Sequence, residues 1–135
     1  MNPVKAIRAL RGAVCTGNTP EEISAAVAEL YDELLRANGL DEDGLVSLFF
    51  SVTPDINALN PAFALRKGGR ASRLAMMVFQ EAETEGGLPG TIRVLAHCYL
   101  DREQQVRHVY IRGAELLRPD RAAPYPAKNP AETGT

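Results

Sequence analysis

The stretch TPEEISAAVAELYDELLRANG, residues 19–39, contains the clearest structural signals in the sequence. Thr19 is a preferred N-cap residue, and Pro20 fits the first helical position, where its missing N–H costs nothing. Glu22 follows Thr19 by three residues, which is the spacing of a capping box. Apolar residues then recur with the helical period until Asn38-Gly39 supplies a stop signal. The stretch therefore predicts a long amphipathic helix.

Apolar runs of strand length lie on both sides of this helix. One strand is expected before it, over 4–14. Further strands are expected over 45–52, 74–79, 91–100 and 107–112. Asn60-Pro61 predicts the start of a short helix over 61–67. The order β-α-β-α-β-β-β predicts an α/β (α+β) fold with a mixed β-sheet and helices on one face. The run 45–52 is apolar at nearly every position, so both of its faces are expected to be covered.

Composition is that of a folded domain. The chain has 135 residues, 45% of them hydrophobic, and a net charge of −2. This length fits a single domain, expected over 1–118, followed by a Pro-rich tail over 119–135 that we expect to be flexible. No apolar run approaches the roughly 20 residues that span a bilayer. The first residues show no signal-peptide pattern, so a cytoplasmic location without membrane association is expected.

Several function classes are disfavoured. Slight acidity, an absence of Trp and an aromatic content of 6% argue against a nucleic-acid partner. Cys15 and Cys98 form neither a disulfide framework nor a zinc motif. Nucleophile-elbow, dinucleotide-binding and P-loop motifs are missing. The sequence therefore gives no signal for a zinc site, a nucleotide cofactor or a covalent nucleophile.

Arginine in apolar strands is the main chemical signal. Arg93 interrupts the run 91–100, and a buried guanidinium requires a partner. The partner is either a carboxylate such as Glu81 or an anionic ligand held by two hydrogen bonds, and the sequence favours neither. Arg8 and Arg11 repeat the pattern in the first strand, where charge protecting a strand edge is the simpler interpretation when they are taken alone.

Polar residues near the ends of other strands add to this signal. In 107–112, alternation places His108, Tyr110 and Arg112 on one face. The Tyr110 hydroxyl either binds water or donates to a ligand carboxylate. Arg118 is either a surface charge or a clamp over a site, and Glu81 alone is more simply a solvated carboxylate. Together these residues suggest a basic pocket for a small polyanion.

Seven short strings extend this interpretation to a family. They are RALRGA at 8–13, SVTPD at 51–55, QE at 80–81, GGL at 86–88, IRV at 92–94, RHVY at 107–110 and LRPD at 117–120. In order and spacing the chain resembles the monofunctional chorismate mutases of the trimeric mixed α/β type (AroH class), over about residues 4–120. The resemblance implies a homotrimer whose sheets form a pseudo-α/β-barrel with helices outside. It also implies three sites between neighbouring subunits, with chorismate as the substrate, prephenate as the product and no cofactor or metal.

The resemblance further implies a role for each matching residue. Arg93 would face the ether oxygen of chorismate and also contact a carboxylate. Arg11 would bind the enolpyruvyl carboxylate, Tyr110 would donate to a carboxylate, and Glu81 would accept a hydrogen bond from the ring hydroxyl. The adjacent subunit would add two basic rim residues and one packing residue: Arg66, Arg118 and Leu117.

Three positions depart from the family pattern. Val78 stands at a substrate-binding position where members carry a cysteine that touches Glu81 and the ring hydroxyl. Asn60 replaces a phenylalanine that packs on the ligand, and Phe63 replaces a lysine near a carboxylate. These changes leave a second hypothesis open, a non-catalytic anion-binding or regulatory homologue on the same trimer. A third is another small-molecule enzyme on a similar trimer, such as an imine deaminase.

Overall fold

The computed structural model of the chain describes residues 4–118, and the predicted tail over 119–135 lies outside the described residues. The elements are β1 Lys5–Cys15, α1 Pro20–Asn38, β2 Leu45–Val52, α2 Pro61–Lys67, β3 Ala75–Gln80, β4 Thr91–Asp101 and β5 Val109–Ile111. Short 3-10 turns cover Glu42–Gly44 and Ala114–Leu117. The predicted order of strands and helices is confirmed.

The five strands form one mixed sheet in the order β3-β2-β4-β1-β5. Strand β4 lies in the centre and runs antiparallel to both β1 and β2. The two edge pairs, β2 with β3 and β1 with β5, are parallel. Residues far apart in the sequence therefore meet on neighbouring strands.

The helices pack against one face of this sheet, as predicted. The core between sheet and helices includes Leu10, Phe50 and Ile92 from the strands and Ile23 and Leu30 from α1. In residues 4–118, no helix covers the opposite face, which we call the open face. The expectation that both faces of β2 are covered is therefore met on one side only. No helix among the described residues is long and apolar enough to cross a membrane.

The predicted caps of α1 are present. The Thr19 hydroxyl accepts a hydrogen bond from Glu22 N at 3.1 Å and donates to the Glu22 carboxylate at 3.0 Å. Gly39 ends the helix in the left-handed conformation, with φ 58°. Beneath the helix, Gly12 allows close packing, because a Cβ there would lie 3.0 Å from Leu30 Cδ1. The caps and this contact fix α1 over β1.

Strand β5 is shorter than predicted and spans only Val109–Ile111. The buried Asn38 side chain bonds both backbone groups of Arg107, accepting from its N at 2.8 Å and donating to its O at 2.9 Å. Arg107 therefore lies outside the strand. Arg112 has a left-handed φ of 53° and pairs with Glu29 of α1 at 2.6 Å. The prediction that Arg112 shares a strand face with Tyr110 is wrong, because the chain turns at that residue.

The glycine-rich segment after α2 is anchored to the rest of the fold. Ala71, with φ 55°, donates its N–H to the Glu42 carboxylate at 2.9 Å, and the Tyr31 hydroxyl donates to the same group. The Tyr31 bond, followed by the Ala71 bond, lowers the pKa of Glu42. Arg70 binds both carboxylate oxygens of Asp32 at 2.9 and 2.8 Å. These bonds hold the segment against α1.

Candidate active site

The strand register brings four side chains into one row across the open face. Ser51 of β2 is paired with Arg93 of β4, which is paired with Ala13 of β1. Ala13 is in turn paired with Tyr110 of β5. Because the side chain of Ala13 is small, it leaves the space between the side chains of Arg93 and Tyr110 empty. Arg11 lies on the same face of β1, two residues before Ala13.

A cavity of about 360 Å³ opens over this row. Its polar lining comes from Arg11, Ser51, Arg93 and Tyr110. Aromatic and aliphatic side chains form the rest of its walls, among them Phe49, Phe79, Leu95 and Leu117. A mainly apolar cavity with a few converging polar groups is typical of sites for small molecules.

A salt bridge joins Arg93 to Glu81 beside the cavity. Arg93 Nε donates to Glu81 Oε1 at 2.9 Å, and Ser51 Oγ donates to the same oxygen at 3.1 Å. Glu81 immediately follows β3, and its backbone N–H bonds Val52 O at 2.7 Å. The Arg93 and Glu81 side chains are only 33% and 25% exposed. Within residues 4–118, the two Nη groups of Arg93 make no hydrogen bond, so they are available to a ligand.

This contact answers the question that the sequence left open about Arg93. The guanidinium has a carboxylate partner, and it also keeps donors that the carboxylate does not use. The cavity holds a second guanidinium, that of Arg11, which makes no side-chain hydrogen bond to residues 4–118. Two guanidinium groups against one carboxylate give the site a net positive charge. It is therefore suited to an anion with more than one acidic group.

His108 supports Arg11 from outside the cavity. Arg11 N donates to His108 Nδ1 at 3.0 Å, which extends the β1–β5 hydrogen bonding by one residue. Partial burial, followed by the positive charge of Arg11, lowers the pKa of His108. The neutral ring that this favours is the form whose Nδ1 accepts the bond. His108 thus has a structural role, because it binds the backbone of β1.

Most of the predicted site residues meet within one chain. Arg11, Arg93, Tyr110 and Leu117 line the cavity, and Glu81 binds Arg93. Leu117 lies there in the same chain, whereas the resemblance implied that it comes from the adjacent subunit. Arg118 directly follows Leu117 and is half-buried.

Arg66 and Val78 do not line this cavity. Arg66 lies exposed in the last turn of α2. Val78 is paired in parallel register with the core residue Phe50, so it faces the helices and packs against the core. The rim role of Arg66 stays a prediction, because it depends on a neighbouring subunit. The binding role of Val78 beside Glu81 also stays a prediction, and in this chain the Val78 side chain faces away from the open face.

Asn60 and Phe63, which differ from the family pattern, lie at the start of α2 and within it. Asn60 caps this helix, and its side chain accepts hydrogen bonds from Ala62 N at 2.8 Å and Phe63 N at 3.2 Å. The asparagine thus has a structural role at the position where the family carries a phenylalanine. Phe63 is 51% exposed, and the Lys67 ammonium lies 6.0 Å from its ring centroid.

Sequence reasoning missed Ser51, Phe49 and Phe79 as residues of the site. The rings of Phe49 and Phe79 stack with centroids 6.3 Å apart and form one wall of the cavity. Ser51 is a polar residue in an apolar run, a signal that could have identified it. In the described part of the chain, no group of three or more His, Cys, Asp or Glu residues is arranged to hold a metal ion.

Comparison with known proteins adds independent information. The family described as chorismate mutase type I matches residues 7–121. A Thermus thermophilus protein named chorismate mutase AroH is 41% identical over 117 residues, covering 84% of this chain and 95% of its own length. A protein of the same name from Bacillus subtilis (strain 168) is 34% identical over 116 residues, covering 84% and 91%. The solved structure of a chorismate mutase from Clostridium thermocellum has a TM-score of 0.76 and 38% identity, covering 81% of this chain and 98% of that one.

Proposed function

This chain belongs to the type I chorismate mutases and is an isomerase that converts chorismate to prephenate in aromatic amino acid biosynthesis, and we propose that it acts by selecting a substrate conformer and stabilising the ether oxygen through Arg93. The reaction is an intramolecular Claisen rearrangement. It needs neither a nucleophile nor a proton transfer. The protein therefore has two tasks, which are to hold the substrate in its compact diaxial conformer and to stabilise the charge of the transition state.

The charges of substrate and site are complementary. Chorismate carries two carboxylates, an ether oxygen and a ring hydroxyl. As the C–O bond breaks, negative charge develops on the ether oxygen. Arg11 and Tyr110 bind carboxylates in our proposal, and Glu81 accepts a hydrogen bond from the ring hydroxyl. Arg93 binds a carboxylate and donates to the ether oxygen.

The observation that carries this proposal is the fixed position of Arg93. Its Nε is bound by Glu81 at 2.9 Å, while neither Nη group bonds any residue in 4–118. A cation held in place before the substrate arrives does not have to reorganise as charge develops. Such a donor typically contributes about 3–4 kcal/mol to transition-state stabilisation.

Kinetics of two variants test the division of roles. Arg93→Ala removes a contact that strengthens in the transition state, so we expect kcat to fall by about 10²-fold or more. Arg11→Ala removes a carboxylate contact made equally in the ground and transition states, so we expect mainly a higher KM. Equal effects of the two substitutions on kcat would contradict the proposed role of Arg93. Circular dichroism controls for folding.

We also propose that the chain is a homotrimer with active sites between subunits. Five large apolar side chains are exposed on the open face of the described chain: Ile7, Met77, Phe79, Leu95 and Tyr99. Their exposure favours burial of this face against other copies of the chain. Arg66 and Arg118 would complete the site of a neighbouring subunit.

The mass in solution tests this assembly. Light scattering coupled to size exclusion should give three times the chain mass of 14.6 kDa. Ile7→Asp places a charge on the open face, and we expect it to reduce the mass and the activity together. Ala25→Asp on the exposed side of α1 is the matched control and should change neither. A monomeric wild-type protein with full activity would contradict the assembly.

A cytoplasmic location is the remaining proposal. The substrate is a charged metabolite of biosynthesis, which favours the compartment where amino acids are made. Fractionation of the source cells with antibody detection should find the protein with cytoplasmic markers. Its recovery with membrane or secreted fractions would contradict this location.

A further inference from the structure

Ser51 occupies a distinctive place in the site. It is a polar residue in the apolar strand β2, it lies on the open face, and it is paired across the sheet with Arg93. Its hydroxyl donates to Glu81 Oε1 at 3.1 Å, the same oxygen that accepts from Arg93 Nε at 2.9 Å. Glu81 Oε2 makes no hydrogen bond with any residue in 4–118. One carboxylate oxygen is thus doubly bound and the other remains available.

Three other arginine–carboxylate pairs within residues 4–118 lack a hydroxyl donor on the carboxylate and offer a comparison. In Arg70–Asp32, Nε and Nη2 bind the two carboxylate oxygens separately. Arg36 binds Glu33 in the same two-pronged way. Arg112–Glu29, which is more exposed than Arg93–Glu81, makes a single contact. Two of the three other pairs within residues 4–118 therefore use an Nη group and both oxygens.

A two-pronged pair between Arg93 and Glu81 would impair the proposed chemistry. It would occupy one Nη group, which the transition state needs, and Oε2, which the ring hydroxyl needs. The last side-chain torsion of a glutamate is broad, so one bond from Nε alone does not fix the carboxylate. A second donor on Oε1 restricts that rotation.

We propose that Ser51 is a positioning residue for the rearrangement, which holds Glu81 in single-point contact with Arg93 and so keeps Oε2 and both Nη groups available to substrate. This inference rests on the proposed roles of Arg93 and Glu81. Ser51 acts through Glu81 and makes no contribution of its own to the reacting atoms. Removal of its hydroxyl should therefore affect turnover more than substrate affinity.

Kinetics of Ser51→Ala test the proposal. The free energy of a hydrogen bond to a charged group corresponds to about a 10- to 100-fold change in rate. We therefore expect kcat to fall by about that factor, with little change in KM. Ser51→Thr keeps the hydroxyl and should restore most of the activity. Ser47→Ala is the matched control: Ser47 lies on the same strand and face, and its hydroxyl contacts His97 at 3.3 Å outside the cavity. We expect it to leave kcat within about twofold of wild type.

A double-mutant cycle with Glu81→Gln separates positioning from a direct role. If Ser51 acts through Glu81, Ser51→Ala has almost no further effect in the Glu81→Gln background. An equal loss in both backgrounds would overturn the proposal, because Ser51 would then act independently of Glu81. A kcat of Ser51→Ala within twofold of wild type would also overturn it.

Two controls keep this test independent of folding and of the proposed function. Should Ser51→Ala not fold, Ser51→Cys preserves the volume with a much weaker donor, and the same loss of kcat is expected. Failure of the proposed function is recognised separately, by undiminished turnover in Arg93→Ala. Failure of the Ser51 proposal leaves the Arg93 result intact.

Discussion

Replacing Arg93 with lysine separates the effect of charge from the effect of geometry. In the wild-type protein one guanidinium does two things at once, since Nε binds Glu81 at 2.9 Å and the Nη groups stay available to substrate. Lysine keeps the positive charge but offers a single nitrogen. That nitrogen cannot occupy the Nε and Nη positions together. Whichever position the ammonium takes, one of the two interactions is lost.

The size of the effect follows from what is lost. A charge-assisted hydrogen bond contributes about 1.5–3 kcal/mol, which corresponds to about a 10- to 100-fold fall in kcat. Arg93→Ala removes the cation altogether, so its kcat should be about 10²- to 10³-fold lower than that of the wild type. The Arg93 and Glu81 side chains keep 33% and 25% of their surface exposed at the open cavity, so water can solvate Glu81 when its partner is lost, and the cost in stability should be about 1 kcal/mol. Activity should therefore fall far more than stability.

The assay follows the loss of chorismate absorbance for wild type, Arg93→Lys and Arg93→Ala. Thermal melts in parallel should show midpoints within a few degrees of each other. The expected order of kcat is wild type, then lysine, then alanine. A lysine variant within threefold of wild type would refute the geometric argument, since charge alone would then account for the role of Arg93.

Three further predictions concern the structure that supports the site. Asn38→Ala leaves both backbone groups of Arg107 without their buried partner, so we expect about 3 kcal/mol less stability in urea unfolding, and an unchanged midpoint would contradict this. Gly12→Ala forces a Cβ within 3.0 Å of its neighbours and should lower stability by about 1–3 kcal/mol; a neutral result would mean that the helix can shift. Burial, followed by the charge of Arg11, lowers the pKa of His108 in the folded protein. As pH falls below about 6.5, His108 is therefore protonated in the unfolded chain before it is protonated in the folded protein. Stability should therefore decrease on acidification in that range, and less steeply in His108→Gln; parallel curves for the two proteins would argue against this role.

Local signals predicted most of the fold. The caps at Thr19 and Asn60 depend on side chains within three residues of the groups they bind, so the sequence contains the whole interaction. Strand β5 is the counterexample. Its start depends on the contact of Asn38 with Arg107, 69 residues away in the sequence. Apolar alternation in 107–112 carries no information about that contact.

The candidate site was predictable in its charges and less so in its geometry. Arg93 was identified because a guanidinium in an apolar strand needs a partner, and the resemblance assigned roles to Arg11, Glu81 and Tyr110. The sharing of Glu81 Oε1 by Arg93 and Ser51 follows from the pairing of β2 with β4. Strand pairing of that kind cannot be inferred from the residues of either strand alone.

Turnover of chorismate by the purified protein tests the central claim most directly. Chorismate is mixed with catalytic amounts of protein, its ultraviolet absorbance is followed, and prephenate is identified by its conversion to phenylpyruvate in acid. We predict many turnovers per chain, with prephenate as the product. A folded protein that binds a chorismate transition-state analogue, yet leaves the rate at its uncatalysed value, would contradict the account.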